Sequence, residues 1–223
     1  MKSTFVVIMG AGRCGSTFVM NKLNEHSGVN IFGEDMGSTL CLLNLLFRIS
    51  NRTDHIRKHP AVMYSPKTVS SEALNRQLHK ASSYIGNEFY FDAHFHENVK
   101  NSAEKYLLRC FNSPVTGFKE IRWDLFADLS FLNVLNKYYD RVVYINLTRN
   151  IDNIVSSSIR ADFAENKDEE VAPKIRTRVL NKQEIIQNFI KKQTPSNVVS
   201  GDITTDGDLM DKIKKAIYDV SCY

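Results

Sequence analysis

Residues Gly10-Ala-Gly-Arg-Cys-Gly-Ser-Thr17 have the types and spacing of an anion cradle. Six positions run from Gly10 to Gly15, and a hydroxyl pair, Ser16 and Thr17, follows. Glycines let successive backbone N–H groups turn inward on one anion. A helix opening at Ser16 adds roughly half a positive charge at its N-terminus. A kinase or GTPase loop of this spacing carries lysine where this chain has Ser16, and that lysine neutralises charge developing between the β- and γ-phosphates. Its absence counts against ATP chemistry. The one cation within the loop is Arg13, whose planar fork would lie over the distal end of a 5′ group and bind two oxygens. The plainer alternative is a glycine-rich turn with no ligand.

A second chemistry-bearing stretch is Phe91-Asp-Ala-His-Phe-His96. On a strand, Asp92, His94 and His96 share one face, and Phe91, Ala93 and Phe95 the other. Three such groups could bind a metal. The same alternation also describes the wet side of a half-buried strand. Two carboxylates, Glu34 and Asp35, follow Phe32-Gly33; Asp35 is well placed to cap the next helix before Gly37.

These residues need elements to hold them. Thr4–Met9 is a continuous β-branched and aromatic run, the mark of a strand covered on both faces. Ser16–His26 reads as a helix, with Gly28 just past its end. Val115–Lys119 and Arg141–Leu147 read as further buried strands. Leu125–Asn136 reads as a helix through Leu125, Leu129 and Leu132, and Ile151–Ile159 as another. Strand, loop, helix, then strand, helix, strand, helix predicts a parallel sheet with crossover helices. Ser38–Ile49 predicts a buried helix and Arg48–His59 a polar surface segment. Beyond Arg160, an acidic stretch at Asp162–Glu170 precedes a helix near Leu180–Ile190, a short strand at Val198–Val199 and a last helix over Asp208–Val220.

Bulk properties bound the function. A chain of 223 residues with 43% hydrophobic residues suits one domain, 1–223, with a small insertion. A net charge of +4 fits an anionic ligand and is too weak for nucleic acid. Cys14, Cys41, Cys110 and Cys222 form no CxxC pair or zinc spacing, so they read as free thiols of a reducing compartment. Thr4–Met9 is too short for a signal peptide, and no stretch reaches the ~20 apolar residues of a membrane span. The expected location is cytoplasmic.

The segment Gly12-Arg-Cys-Gly-Ser-Thr-Phe18 resembles the 5′-phosphosulfate loop of sulfotransferases dependent on 3′-phosphoadenosine 5′-phosphosulfate (PAPS). It is closest to the RSGST form of the carbohydrate and bacterial glycolipid branches, with Cys14 replacing serine. A second match is a strand ending in Arg149 with Ser157 eight residues on. A third is Gly117-Phe-Lys-Glu-Ile-Arg-Trp123, similar to the GxKxxW segment of a trehalose-type branch. The resemblance covers Lys2 to about Arg160 and leaves 161–223 poorly matched. It implies a three-layer α/β/α, P-loop-like fold with a central parallel sheet.

For the site, the resemblance implies that Gly12, Arg13, Cys14, Gly15, Ser16 and Thr17 hold the 5′-phosphate and sulfonate. Arg149 and Ser157 would grip the 3′-phosphate, and Arg149 would sit at the carboxyl edge of a strand, where ligands of open α/β sheets gather. Transfer to a hydroxyl needs a base, and Glu34 occupies the position it has in the RSGST-like branches. Apolar surroundings near Leu40–Phe47 would strengthen that base. Asp35 remains open, and so do His94 and His96, since the cytosolic branch uses a histidine. Arg13 and Lys119 would stabilise the leaving group, the product would be adenosine 3′,5′-bisphosphate, and no metal is required. The acceptor is a sugar, glycolipid or small-molecule hydroxyl, met by an insertion at 36–90. Arg48, Arg52, Arg57 and Lys58, with His55 and His59, could meet an acidic acceptor or simply face water. The oligomeric state is unreadable. Two other functions compete: a P-loop small-molecule kinase, and a non-catalytic nucleotide-binding module.

Overall fold

The computed structural model of the protein describes residues 3–35, 37–58, 100–105, 113–162 and 171–218. Two compact units are present, Met1–Leu43 with Phe111–Tyr223, and Asn44–Cys110. Asp92, His94, His96 and the stretch 163–170 lie outside the described residues.

The first unit is built on five parallel strands: β1 (Thr4–Gly10), β2 (Val29–Phe32), β3 (Val115–Glu120), β4 (Arg141–Leu147) and β5 (Val198–Gly201). Their order is β2-β3-β1-β4-β5, so β1 is central, flanked by β3 and β4. The helices are α1 (Ser16–Asn24), α2 (Ser38–Lys58), α3 (Ile151–Asp162), α4 (Val171–Ile190) and α5 (Leu209–Tyr218). Of these, α1 and α5 pack on one face of the sheet and α4 on the other.

The unbroken apolar runs of β1 and β4 follow from this placement. Val6 and Ile8 of β1 and Val143 and Ile145 of β4 pack in one core with Val19 and Leu23 of α1 and Leu209 and Ile213 of α5. On the opposite face, Phe5 meets Phe118 and Tyr139, with ring centroids 5.9 and 4.5 Å apart. Tyr144 there packs edge-on against Phe189 of α4. Burial of both faces leaves no position for a polar alternation. Gly117 stands opposite Val6 across the β1–β3 ladder, and a Cβ there would overlap the Val6 backbone.

Several boundaries differ from the sequence reading. The expected helix over Leu125–Asn136 is instead two 3₁₀ segments, Trp123–Leu125 and Ser130–Lys137. Leu129 and Leu132 are buried, but Leu125 is 52% exposed and leaves the expected stripe. The cause is local: the Asp128 carboxylate accepts the Ser130 N–H at 3.2 Å and the Ser130 hydroxyl. Such side-chain bonds compete with the helical ladder. The helix α2 runs on through Lys58, past the expected end at Ile49. The helix α4 begins at Val171, nine residues before the expected start at Leu180. Only Val179, Lys182, Ile186 and Phe189 of α4 are buried, a stripe too narrow to stand out in sequence. The apolar stretch Val29–Phe32 is the edge strand β2.

Among the described residues no helix is long and apolar enough to cross a membrane.

Candidate functional site

The carboxyl ends of four strands converge on one cleft of about 710 Å³. After β1 come Gly12, Arg13, Gly15, Ser16 and Thr17, and after β2 comes Glu34. Lys119 stands near the end of β3, and Arg149 follows β4. Ser157 of α3 completes the set. All of these were singled out from sequence, and all line the same cavity. In open parallel sheets this edge is where ligands bind.

The loop's shape is set by its backbone. Gly12, Arg13 and Gly15 have φ of +85°, +53° and +87°. Glycine adopts such angles freely, whereas Arg13 carries some strain. Gly15 then caps α1, its carbonyl accepting the Val19 N–H at 3.1 Å. Left-handed residues ahead of a helix N-terminus are a backbone form suited to gathering amides around an anion.

Cys14 departs from the expected role. Its side chain is fully buried in the core, beneath the loop and against Gly10, so it does not line the cleft. Burial pushes its thiol up, against hydrogen bonds from Ser16 and Gly12. A ligand could meet Cys14 only through its backbone.

Arg149 connects the two motifs. Its Nη1 donates to the Arg13 carbonyl at 2.9 Å. Its Nε is buried and has no hydrogen-bond partner among the described residues. A buried donor left unmatched costs about 1–3 kcal/mol, which an anion in the cleft would offset.

Glu34 meets cations where an apolar environment was expected. Lys119 Nζ donates to Glu34 Oε1, and Arg122 Nη1 lies 3.5 Å from Oε2. Lys119 is only 6% exposed at its side chain, and Glu34 is 27% exposed. Arg122 also reaches Glu120 Oε1 at 3.1 Å. Glu120, unremarked in the sequence beyond its place in the third motif, is a buried carboxylate with every oxygen engaged. It accepts the N–H groups of Gly37, Ile121 and Arg122 at 3.0, 2.8 and 3.0 Å. It thereby ties the end of β3 to the start of α2. Asp35 caps α2 as expected, accepting the Thr39 N–H at 2.8 Å and the Thr39 hydroxyl. Trp123 is buried, its indole N–H donating to the Glu120 carbonyl at 2.7 Å.

The remaining wall of the cleft comes from α4, through Ile175, Arg178, Val179 and Lys182. No sequence motif marked it. The signal was present as spacing, since these positions share one helical face. Asp124 stands behind them, with Arg178 Nε at 2.7 Å from Oδ2 and Lys182 Nζ at 3.3 Å from Oδ1. Burial opposes ionisation of Asp124, but the Arg178 hydrogen bond and the Lys182 charge hold its carboxyl below the ordinary value. Burial likewise pushes the Lys182 ammonium down, and Asp124 resists. A smaller recess of about 440 Å³ adjoins the cleft through Ala11 and Arg149 and is lined by the amides of Asn146, Gln183 and Gln187.

No protein-family model and no curated protein matches this chain.

Proposed function

We propose that this protein transfers a sulfonate group from PAPS to a hydroxyl of a sugar, glycolipid or small-molecule acceptor, on a P-loop-like sulfotransferase fold. One observation carries the reading. Two segments far apart in sequence, Gly12, Arg13 and Gly15–Thr17 in the first and Arg149 with Ser157 in the second, line a single cleft with Glu34 and Lys119. The donors suit a doubly phosphorylated nucleotide: left-handed loop residues, and beside them Arg149 with a buried, unmatched Nε.

When bound, PAPS supplies the sulfonate and a phosphate leaving oxygen. Arg13 and the backbone of Gly15–Thr17 hold the 5′ end, and Arg149 and Ser157 hold the 3′-phosphate. Glu34 accepts the acceptor's hydroxyl proton as the new S–O bond forms. Lys119, beside Glu34, offsets charge on the phosphate oxygen that keeps the electron pair of the broken bond, and Arg13 assists. Orientation by the cleft supplies the in-line geometry. The scheme calls on no metal. His94 and His96 stand as rival bases on the sequence reading.

Titration calorimetry tests the proposal. Adenosine 3′,5′-bisphosphate should bind at least about tenfold more tightly than 5′-AMP, since a phosphate held by charge-assisted bonds contributes more than ~1.4 kcal/mol. It should also bind more tightly than ATP. Equal affinities would remove the 3′-phosphate from recognition and the assignment with it. The engagement of both Glu34 oxygens by Lys119 and Arg122 favours a second reading, a module that binds the nucleotide without turning it over. The Glu34→Gln variant discussed below separates the two.

A further inference from the structure

The chemistry proposed above makes no use of the α4 wall. Arg178 and Lys182 stand one helical turn apart on it, with Ile175 and Val179 on the same face. Arg178 is 66% exposed at its side chain, while Lys182 is 8% exposed. Burying an ammonium costs free energy that an apolar side chain of the same length would not. Packing alone therefore does not account for lysine at this position.

Among the described residues the local charge does not balance. Asp124 serves both cations, so two positive groups minus one carboxylate leave one positive charge in surplus on this wall. Across the cleft, Glu34 and Lys119 form their own pair. Asp124 engages Arg178 through Nε alone, which leaves the terminal guanidinium edge directed away from that bond. A planar edge of N–H donors beside an ammonium matches an oxyanion.

We propose that Arg178 and Lys182, held by Asp124, form a second anion subsite that takes a phosphate, sulfate or carboxylate group of the bound ligand. The inference rests on the cleft being an anion site, and not on sulfonate transfer. Two sources share this chemistry: the 3′-phosphate of a nucleotide, and an acidic group on the acceptor.

Calorimetry on Arg178→Ala and Lys182→Met separates the sources, with Lys174→Ala as a control on the same helix and outside the cleft. If the nucleotide is the source, both variants bind adenosine 3′,5′-bisphosphate roughly tenfold or more weakly, with 5′-AMP unchanged. If the acceptor is the source, nucleotide affinities stay put. Inorganic sulfate then raises the melting temperature of the bisphosphate-saturated wild type and of Lys174→Ala, but not of the two variants. Should Lys182→Met fail to fold, the exposed Arg178→Ala carries the test. Wild-type behaviour of the variants in both measurements overturns the subsite. Should the wild type bind the bisphosphate no better than 5′-AMP, inorganic pyrophosphate becomes the probe. Weaker pyrophosphate binding by the variants then supports the subsite while sulfonate transfer falls, and unchanged binding overturns both.

Discussion

Glu34 shares its carboxylate between Lys119 and Arg122, and that arrangement decides what can be asked of it. Glutamine keeps its shape and hydrogen-bonding reach but cannot accept the proton. Glu34→Gln should therefore lower turnover by roughly 10²-fold or more while leaving bisphosphate affinity nearly unchanged. Unaltered turnover would redirect attention to His94 and His96. Asp124 offers a test in pH. Its carboxyl is held below the ordinary 3.8, so near and below that value the unfolded chain binds more protons than the folded one. The stabilisation is complete above 3.8 and drains away as pH falls through the lowered value. The melting-temperature gap between wild type and Asp124→Asn should accordingly be largest at neutral pH and shrink in acid. A gap that stays constant down to about pH 3 would show that the Arg178 and Lys182 contacts contribute nothing through charge. At this scale the cleft-lining places of the glycine loop and Arg149 could be anticipated, the first from its spacing between a strand and a helix and the second from the family resemblance. Glu120 could not, since a carboxylate buried by four N–H donors looks in sequence like any other acid.

Elements were legible to the degree that burial dictated their composition. The strands β1 and β4 are covered on both faces, and their boundaries fall within a residue of the sequence reading. The wrong expectations lie where local bonds or sparse patterns intervene. Asp128 diverts Leu125–Asn136 into 3₁₀ turns, and the thin buried stripe of α4 hides its first turns. For the same reason the Arg178 and Lys182 wall went unseen, because two cations in a charged helix look like solvated surface. Gly117 provides a test of the sheet itself. Since a Cβ would meet the Val6 backbone rather than a yielding side chain, Gly117→Ala should cost about 2 kcal/mol or more. Urea unfolding measures it, and a loss below ~0.5 kcal/mol would mean that the β1–β3 ladder relaxes freely.

Across the whole molecule, the parallel sheet gathers groups from residue 12 to residue 182 at one rim. Among the described residues, five cations, Arg13, Lys119, Arg149, Arg178 and Lys182, line that cleft with one carboxylate, Glu34. The chain as a whole carries +4, and among the described residues this rim holds more cations than carboxylates. Binding of adenosine 3′,5′-bisphosphate should weaken by about tenfold between ~50 mM and ~500 mM salt, as screening shortens the reach of those charges. Salt-independent affinity would place the ligand elsewhere.

Arg149 is at once a cleft-lining group and a fastener, because one arm of its guanidinium already grips the Arg13 carbonyl. The loop and the residue after β4 therefore cannot change independently. A ligand that leaves that grip intact inherits a loop already folded to receive it, and one that pulls the guanidinium away must bear the cost of a slackened loop. What Arg149 gains from a ligand is thus set partly by the shape of the loop it holds.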